Sequence, residues 1–399
     1  MKPILRVQLS AMMLLQFFIW GSWYVTMGTY LANTLKADGL QIGAAYGMMA
    51  IATIFSPLLI GVIADRFFAP RNLMALLHLA GGIILLLITK ITDPSTFSWI
   101  ILLYALMYAP TMALSNSIAF DQLKGTGQSF SAIRVFGTIG WIIAGISIDK
   151  VFAIPASAMG FTFTMAGIAS IVLAVLSITL PKKQDQPINA VAGSNLMGKD
   201  IWILFKDRSF TIFFVSSILI CIPLAFYYSL ANQFFNEKGL ADATSKMTMG
   251  QFSEAIFIVM IPFFMKRWGI KWMIIIGMLA WVVRFLFFRY GDAGDNSWML
   301  IAGILLHGIC YDFFFVTGQI YTDSVANDSN RNAAQGVITM ATYGVGMWIG
   351  SLLAGYLAKR ATIDALSHHW EMVWMVPIAI TLAVLVFFVI FFKNKQSLA

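Results

Sequence analysis

Four charged side chains interrupt otherwise apolar stretches of this sequence: Arg134, Glu254, Arg284 and Asp312. Two are cationic and two anionic, a set that could cancel within one cavity. Glu254 lies inside its apolar run, eight residues after Lys246 and twelve before Lys266. At ~1.5 Å per residue that is ~12 Å from one end and ~18 Å from the other, well inside a ~30 Å hydrocarbon layer. A carboxylate at such depth must face a cavity, a partner charge or a proton. Gln251, three residues earlier, shares its helix face. Arg134, Thr138 and Trp141 follow the spacing i, i+4, i+7, so a cation, a hydroxyl and a flat ring share one stripe. That set suits a polar ligand containing a ring. His307, Tyr311, Asp312, Phe315 and Gln319 fall within an arc of ~140° on another helix. A His and an Asp there could relay protons, since both change charge near physiological pH when perturbed. Tyr228 and Asn232 add a polar i, i+4 pair to a further run.

Each of these residues also has a plainer reading. Glu254 could be half of a buried structural ion pair, and Asp312 could pair with Arg284. Arg284 is deep in its run and reads as a structural counter-ion in preference to a ligand contact. Arg134 could snorkel to a nearby membrane edge. His307 could be a neutral hydrogen-bonding core residue, and Tyr228 and Asn232 could bond neighbouring helices. His368 and His369 are adjacent in a loop and read as solvated. The methionines, 23 in number, read as packing filler.

The elements that must position these groups are transmembrane helices. Of the 399 residues, 59% are hydrophobic and only 11% charged, and the mean hydropathy is +0.81. A soluble domain carries about 25% charged residues. The formal charge of +8 does not require a nucleic-acid partner, because Lys and Arg sit in short loops between apolar runs. No Rossmann, P-loop or metal-ligand spacing is present, so no cofactor and no metal are expected. Cys221 and Cys310 both lie inside apolar runs, which argues against a structural disulfide. A short basic start followed by a long apolar run reads as a retained first helix and not as a signal peptide.

Twelve runs are long enough to span a bilayer. The ends and even-numbered loops hold 16 of the Lys and Arg residues, the odd-numbered loops hold 8, and Arg134 and Arg284 fall inside runs. This bias predicts both termini in the cytoplasm. The longest loop, 181–208, is polar and basic, and is expected to link an N-terminal six-helix bundle over 1–180 to a C-terminal one over 209–399. A weak internal repeat agrees. Arg66 and Arg267 are 201 residues apart, and Asp121 and Asp323 are 202 apart. The stretches GTIGWIIAG (137–145) and GVGMWIGSLLAG (344–355) open the fifth and eleventh runs. A near-constant offset is what a duplicated six-helix unit gives.

At these residues the chain resembles the major facilitator superfamily and, within it, the bacterial nucleoside:proton symporters. GVIADRFFAPR is similar to the superfamily's loop motif after helix two, with Asp65 and Arg66 in place and Phe68 where glycine is usual. The more specific marks are LQFFIWGSWYVTMGTYL, IRVFGTIGW, QFSEAIFIVMIPFF followed by KRWGIK, AWVVRFLFFRYGD and YDFFFVTGQIY, in the family's order over most of the chain. The resemblance implies a two-bundle fold with a nucleoside bound between the bundles. It implies that Arg134, Thr138, Gln251 and Glu254 match ligand-binding positions and that Asp312 matches an essential acid. Some positions depart from the better-known permeases. Ala225 and Tyr228 stand where a Gln and an Asn are usual, Tyr311 and Trp141 where Phe is, and His307 where Tyr is.

The expected molecule is therefore an all-α membrane protein of twelve transmembrane helices with the major facilitator fold. It is expected to act as a monomer in a bacterial inner membrane and to import nucleosides with protons by alternating access. Arg134, Thr138, Trp141, Tyr228, Gln251, Glu254, His307 and Tyr311 are the candidate substrate contacts. Asp312 or Glu254 is the candidate proton carrier. A sugar or drug transporter of the same fold is the main rival. A membrane-embedded enzyme would need a clustered nucleophile, base or metal set, and none is visible.

Overall fold

The computed structural model describes residues 3–63, 69–123, 127–181, 199–327, 331–364 and 367–393. The superfamily motif residues Asp65, Arg66 and Phe68, and most of the expected linker 181–208, lie outside them. Contacts divide the chain into two compact units, Met1–Gly193 and Ser194–Ala399.

The first unit contains α1 (Pro3–Trp23), α2 (Met27–Asn33), α3 (Gly39–Ile63), α4 (Pro70–Ile88), α5 (Pro94–Leu123), α6 (Gly127–Ile146) and α7 (Gly160–Thr179). Long apolar helices form here because a backbone in hydrocarbon must satisfy its own polar groups. Asp93 starts α5 by accepting the Thr96 backbone N–H and hydroxyl, both at 2.7 Å. Within the unit α1 packs on α6 and α7, α4 on α7, and α3 on α5. The α4–α7 contact is close because Gly82 and Gly167 face each other. A Cβ at Gly82 would lie 2.9 Å from the Gly167 carbonyl oxygen. The core is aromatic: Trp23 stacks on Phe163 at 5.7 Å, and Phe163 meets Tyr30 and Phe97 edge-on.

The second unit contains α8 (Lys199–Leu204), α9 (Arg208–Glu237), α10 (Ala243–Met247), α11 (Met249–Tyr290), α12 (Ser297–Leu305), α13 (His307–Tyr311), α14 (Thr317–Val325), α15 (Arg331–Thr339), α16 (Met347–Ala361) and α17 (Trp370–Phe391). Asp207 caps α9, accepting from the backbone N–H groups of Ser209 and Phe210. A small hairpin, β1 (Thr362–Asp364) with β2 (Ser367–His368), joins α16 to α17. Two π-helical turns interrupt the otherwise α-helical path, Asp312–Val316 between α13 and α14 and Met340–Gly346 between α15 and α16. α11 packs on α13 and α17, and α9 on α16 and α17.

Eleven helical segments among the described residues are long and apolar enough to cross a membrane, one fewer than the runs counted in the sequence. The difference lies in α11. Its 42 residues cover two expected runs, and Gly269 in its interior has φ +72°. That left-handed conformation is one a glycine adopts without steric cost. The outward surface is what lipid requires: Val259 is 78% exposed and Phe263 62%.

Candidate functional site

In the first unit, α6 presents Arg134, Thr138 and Trp141, all half-buried, as the i, i+4, i+7 spacing predicts. The Arg134 guanidinium lies 4.0 Å from the centre of the Phe17 ring of α1. Its head is thus held by an aromatic face on the neighbouring helix. Trp141 meets Trp20 edge-on at 5.5 Å. The two helices come this close because Gly21 sits against the Trp141 ring, where an added Cβ would be 3.1 Å away. Trp20 also contacts Tyr24 and Tyr108 at 5.4 and 6.2 Å, which extends the aromatic wall.

Behind this wall lies a polar network that the sequence did not announce. His78 of α4 is buried, with Nε2 2.9 Å from Gln16 Oε1 and Nδ1 3.1 Å from the Ser170 hydroxyl. Gln16 donates through Nε2 to Thr111 at 2.7 Å, and the Tyr108 hydroxyl donates to the Gln16 carbonyl at 2.6 Å. Helices α1, α4, α5 and α7 are thereby joined through one buried set of hydrogen bonds.

In the second unit the candidates gather where α11 crosses α13. Gly308 allows the crossing, since a Cβ there would lie 2.5 Å from the Ser253 carbonyl carbon and 2.6 Å from the Glu254 nitrogen. Gly250 does the same one turn earlier, against His307. The contact places His307 Nε2 4.0 Å from Glu254 Oε2. The Glu254 side chain retains 25% exposure while that of His307 retains 1%. Gln251 is buried on the same face of α11. Tyr311 is half-buried and its hydroxyl is hydrogen-bonded to that of Tyr343, a residue of the second π turn. Tyr228 is half-buried on α9, beside Tyr227. Asn232 is turned into the protein and donates to Thr244 at 3.1 Å.

Arg284 and Asp312 are not hydrogen-bonded to each other. Arg284 is fully buried and donates to His307 Nδ1 at 2.9 Å. Its guanidinium also lies over the Tyr227 ring at 3.7 Å, with Trp281 and Phe288 farther out. Asp312 is 0% exposed, begins the first π turn, and neither carboxylate oxygen has a hydrogen-bond partner among the described residues. An ionised carboxylate so placed lacks the partners that would offset its desolvation. A proton is the species that would neutralise it. π turns inside α-helices recur at functional positions.

Another departure concerns His368. It is not solvated: its Nδ1 lies 3.0 Å from Glu237 Oε1, and Trp370 donates to Glu237 Oε2 at 2.7 Å. This cluster ties the end of α9 to the hairpin and to the start of α17. Among the described residues no group of His, Cys, Asp and Glu is placed to hold a metal.

Comparison with known proteins shows the family of the chain. A family model described as nucleoside H+ symporter matches residues 3–397. YegT of Escherichia coli (strain K12) is 37% identical over 98% of this chain and 94% of its own. The xanthosine permease of the same organism is 33% identical, over 96% of this chain and 95% of its own. The crystal structure of the nucleoside transporter NupG, 30% identical, covers 99% of this chain and 100% of that one with a TM-score of 0.88. The chain is a multi-pass membrane protein with the major facilitator fold, and it belongs to the nucleoside H+ symporter family.

Proposed function

We propose that this protein imports nucleosides together with protons across a bacterial inner membrane by alternating access, as a monomer. Arg134, Thr138 and Trp141 in the first unit, and Tyr228, Gln251, Glu254 and Tyr311 in the second, contact the nucleoside. Aromatic rings stack on the base, while the amide, carboxylate and guanidinium hydrogen-bond hydroxyls and base edges. His307 acts from behind Glu254. Asp312 takes the proton. Its surroundings support that role: a fully buried carboxylate with neither oxygen hydrogen-bonded among the described residues. This is the single observation that carries the reading.

The proposal includes twelve crossings with both termini in the cytoplasm. α11, at 42 residues, is ~63 Å long at ~1.5 Å per residue, about twice a ~30 Å hydrocarbon core. Two crossings that turn at Gly269, beside Lys266, Arg267 and Lys271, account for its length. The basic cluster supports a cytoplasmic side for that turn. Two six-helix bundles, 1–180 and 209–399, joined by 181–208, follow from the same count.

The test is uptake of radiolabelled nucleosides into proteoliposomes under an imposed inward proton gradient, with and without an uncoupler, against unlabelled nucleosides and sugars as competitors. Accumulation that the uncoupler abolishes and only nucleosides compete supports the reading. Accumulation indifferent to the uncoupler, or blocked by a sugar, overturns it.

A further inference from the structure

Arg284 has no place in the transport scheme so far, yet its contact with His307 is fully enclosed within the second unit. Arg284 is 0% exposed and His307 1%. A buried cation ordinarily sits against a carboxylate. Here the guanidinium instead donates to imidazole Nδ1 at 2.9 Å and rests on the Tyr227 face at 3.7 Å. A guanidinium can only donate, so Nδ1 must be the accepting nitrogen. The neutral ring then carries its proton on Nε2. That nitrogen is the one 4.0 Å from Glu254 Oε2. The His307 ring is fixed in this direction by its stack on Tyr227, with centroids 5.5 Å apart and planes 30° apart. Gly250 and Gly308 fix its height against α11, because a side chain at either would push α13 away.

We propose that Arg284 and His307 form a positioning pair for Glu254: the guanidinium selects the Nε2–H tautomer of His307, and that N–H orients the Glu254 carboxylate towards substrate. The pair rests on the proposed contact between Glu254 and the nucleoside. At 4.0 Å Nε2 is outside hydrogen-bond distance, but the carboxylate oxygen is near enough to feel the N–H dipole. Arg284 reaches the substrate only through His307, and neither residue is a direct contact.

Glutamine provides a discriminating substitution. His307→Gln keeps an acceptor for Arg284 and an N–H donor for Glu254, whereas His307→Phe keeps the ring and the stack but neither polar function. The measurement is equilibrium binding of uridine and adenosine to the detergent-solubilised full chain, in the wild-type and Glu254→Ala backgrounds. His307→Phe is expected to weaken binding about tenfold, the scale of one hydrogen bond to a charged group, and His307→Gln by less than about threefold. In the Glu254→Ala background, His307→Phe should change affinity by less than about twofold. Long-range proton–nitrogen spectra of 15N-histidine protein supply a second readout. The resonance lost in His307→Gln should carry the Nε2–H signature, and Arg284→Lys should alter it. Equal losses from His307→Phe in both backgrounds, or an Nδ1–H signature, overturn the pair and leave the transport reading intact. Unchanged binding in Glu254→Ala alone overturns the substrate contact, and the pair with it.

Discussion

Each unit buries polar side chains among its helices, but the two treat them differently. Around His78 in the first unit the accounting closes. Both imidazole nitrogens, the Gln16 amide, Thr111, Ser170 and the Tyr108 hydroxyl all have hydrogen-bond partners. Around Arg284 and Asp312 in the second unit it does not. Two guanidinium nitrogens and both Asp312 oxygens are without a partner among the described residues, although the two side chains have opposite charge. A satisfied network in a low-dielectric interior rigidifies a bundle, whereas an unsatisfied charge there is costly. On the proposed function, the first arrangement is architecture, and the second is the one that a moving proton and ligand would use.

The sharpest way to break this contrast is to neutralise the unsatisfied acid. Asp312→Asn imitates the protonated form permanently, and is expected to reduce uphill, proton-driven uptake to background. Exchange of labelled for unlabelled nucleoside should survive, because that cycle need not return the empty carrier. Thermal unfolding of the variant in detergent should occur no earlier than in wild type, since no hydrogen bond to its carboxylate is lost. His78→Leu should show the opposite pattern. Removing the imidazole leaves Gln16 Oε1 without its partner and breaks the link to Ser170, costing about 2–4 kcal/mol of stability by denaturant or thermal unfolding. Nucleoside affinity of the folded fraction should change by less than about twofold. A large affinity change in His78→Leu would move that network into the site and erase the distinction.

Glu254→Gln sharpens the comparison within the second unit. Removal of the charge while the shape is kept should weaken nucleoside binding by about 1.5–3 kcal/mol in calorimetry. The smallest effect is expected at an ordinary solvated contact outside both networks. Asp93 caps α5, and its carboxyl is held below the usual carboxylate range by the hydrogen bonds from Thr96. A depressed value means that the folded state binds the proton less readily than the unfolded state. The stabilisation is therefore complete above the ordinary value of 3.8 and fades as pH falls through the lower folded one. Asp93→Ala should lower the unfolding temperature slightly at neutral pH, and the difference from wild type should close in strong acid.

Much of the fold was legible because a bilayer imposes length and polarity on every crossing. The apolar runs appear as helices, and the stripe Arg134, Thr138 and Trp141 lies half-buried on α6 as its spacing predicts. What the sequence hid was long-range pairing. Arg284 and His307 are 23 residues apart and meet only because two glycines let α13 approach α11. Asp312 and Arg284 look like natural partners by charge, yet geometry gives the guanidinium to His307. His78 sits in an apolar stripe, LLHLAGG, that reads as packing, and its partners Gln16 and Ser170 lie 62 and 92 residues away. The π turns at Asp312 and at Tyr343 shift side chains by part of a helical turn, and no local spacing rule announces them. His368 looked solvated because loops usually are. Its partner, Glu237, is 131 residues earlier in the chain.

The central claim is that nucleoside entry carries a proton by way of Asp312. The most direct measurement follows internal pH in proteoliposomes holding a pH-sensitive dye, with no imposed gradient, as nucleoside is added outside. The account predicts internal acidification in step with labelled nucleoside entry for the wild-type protein, and none for Asp312→Asn despite intact nucleoside exchange. Nucleoside entry without acidification in wild type, or acidification that persists in Asp312→Asn, would contradict it.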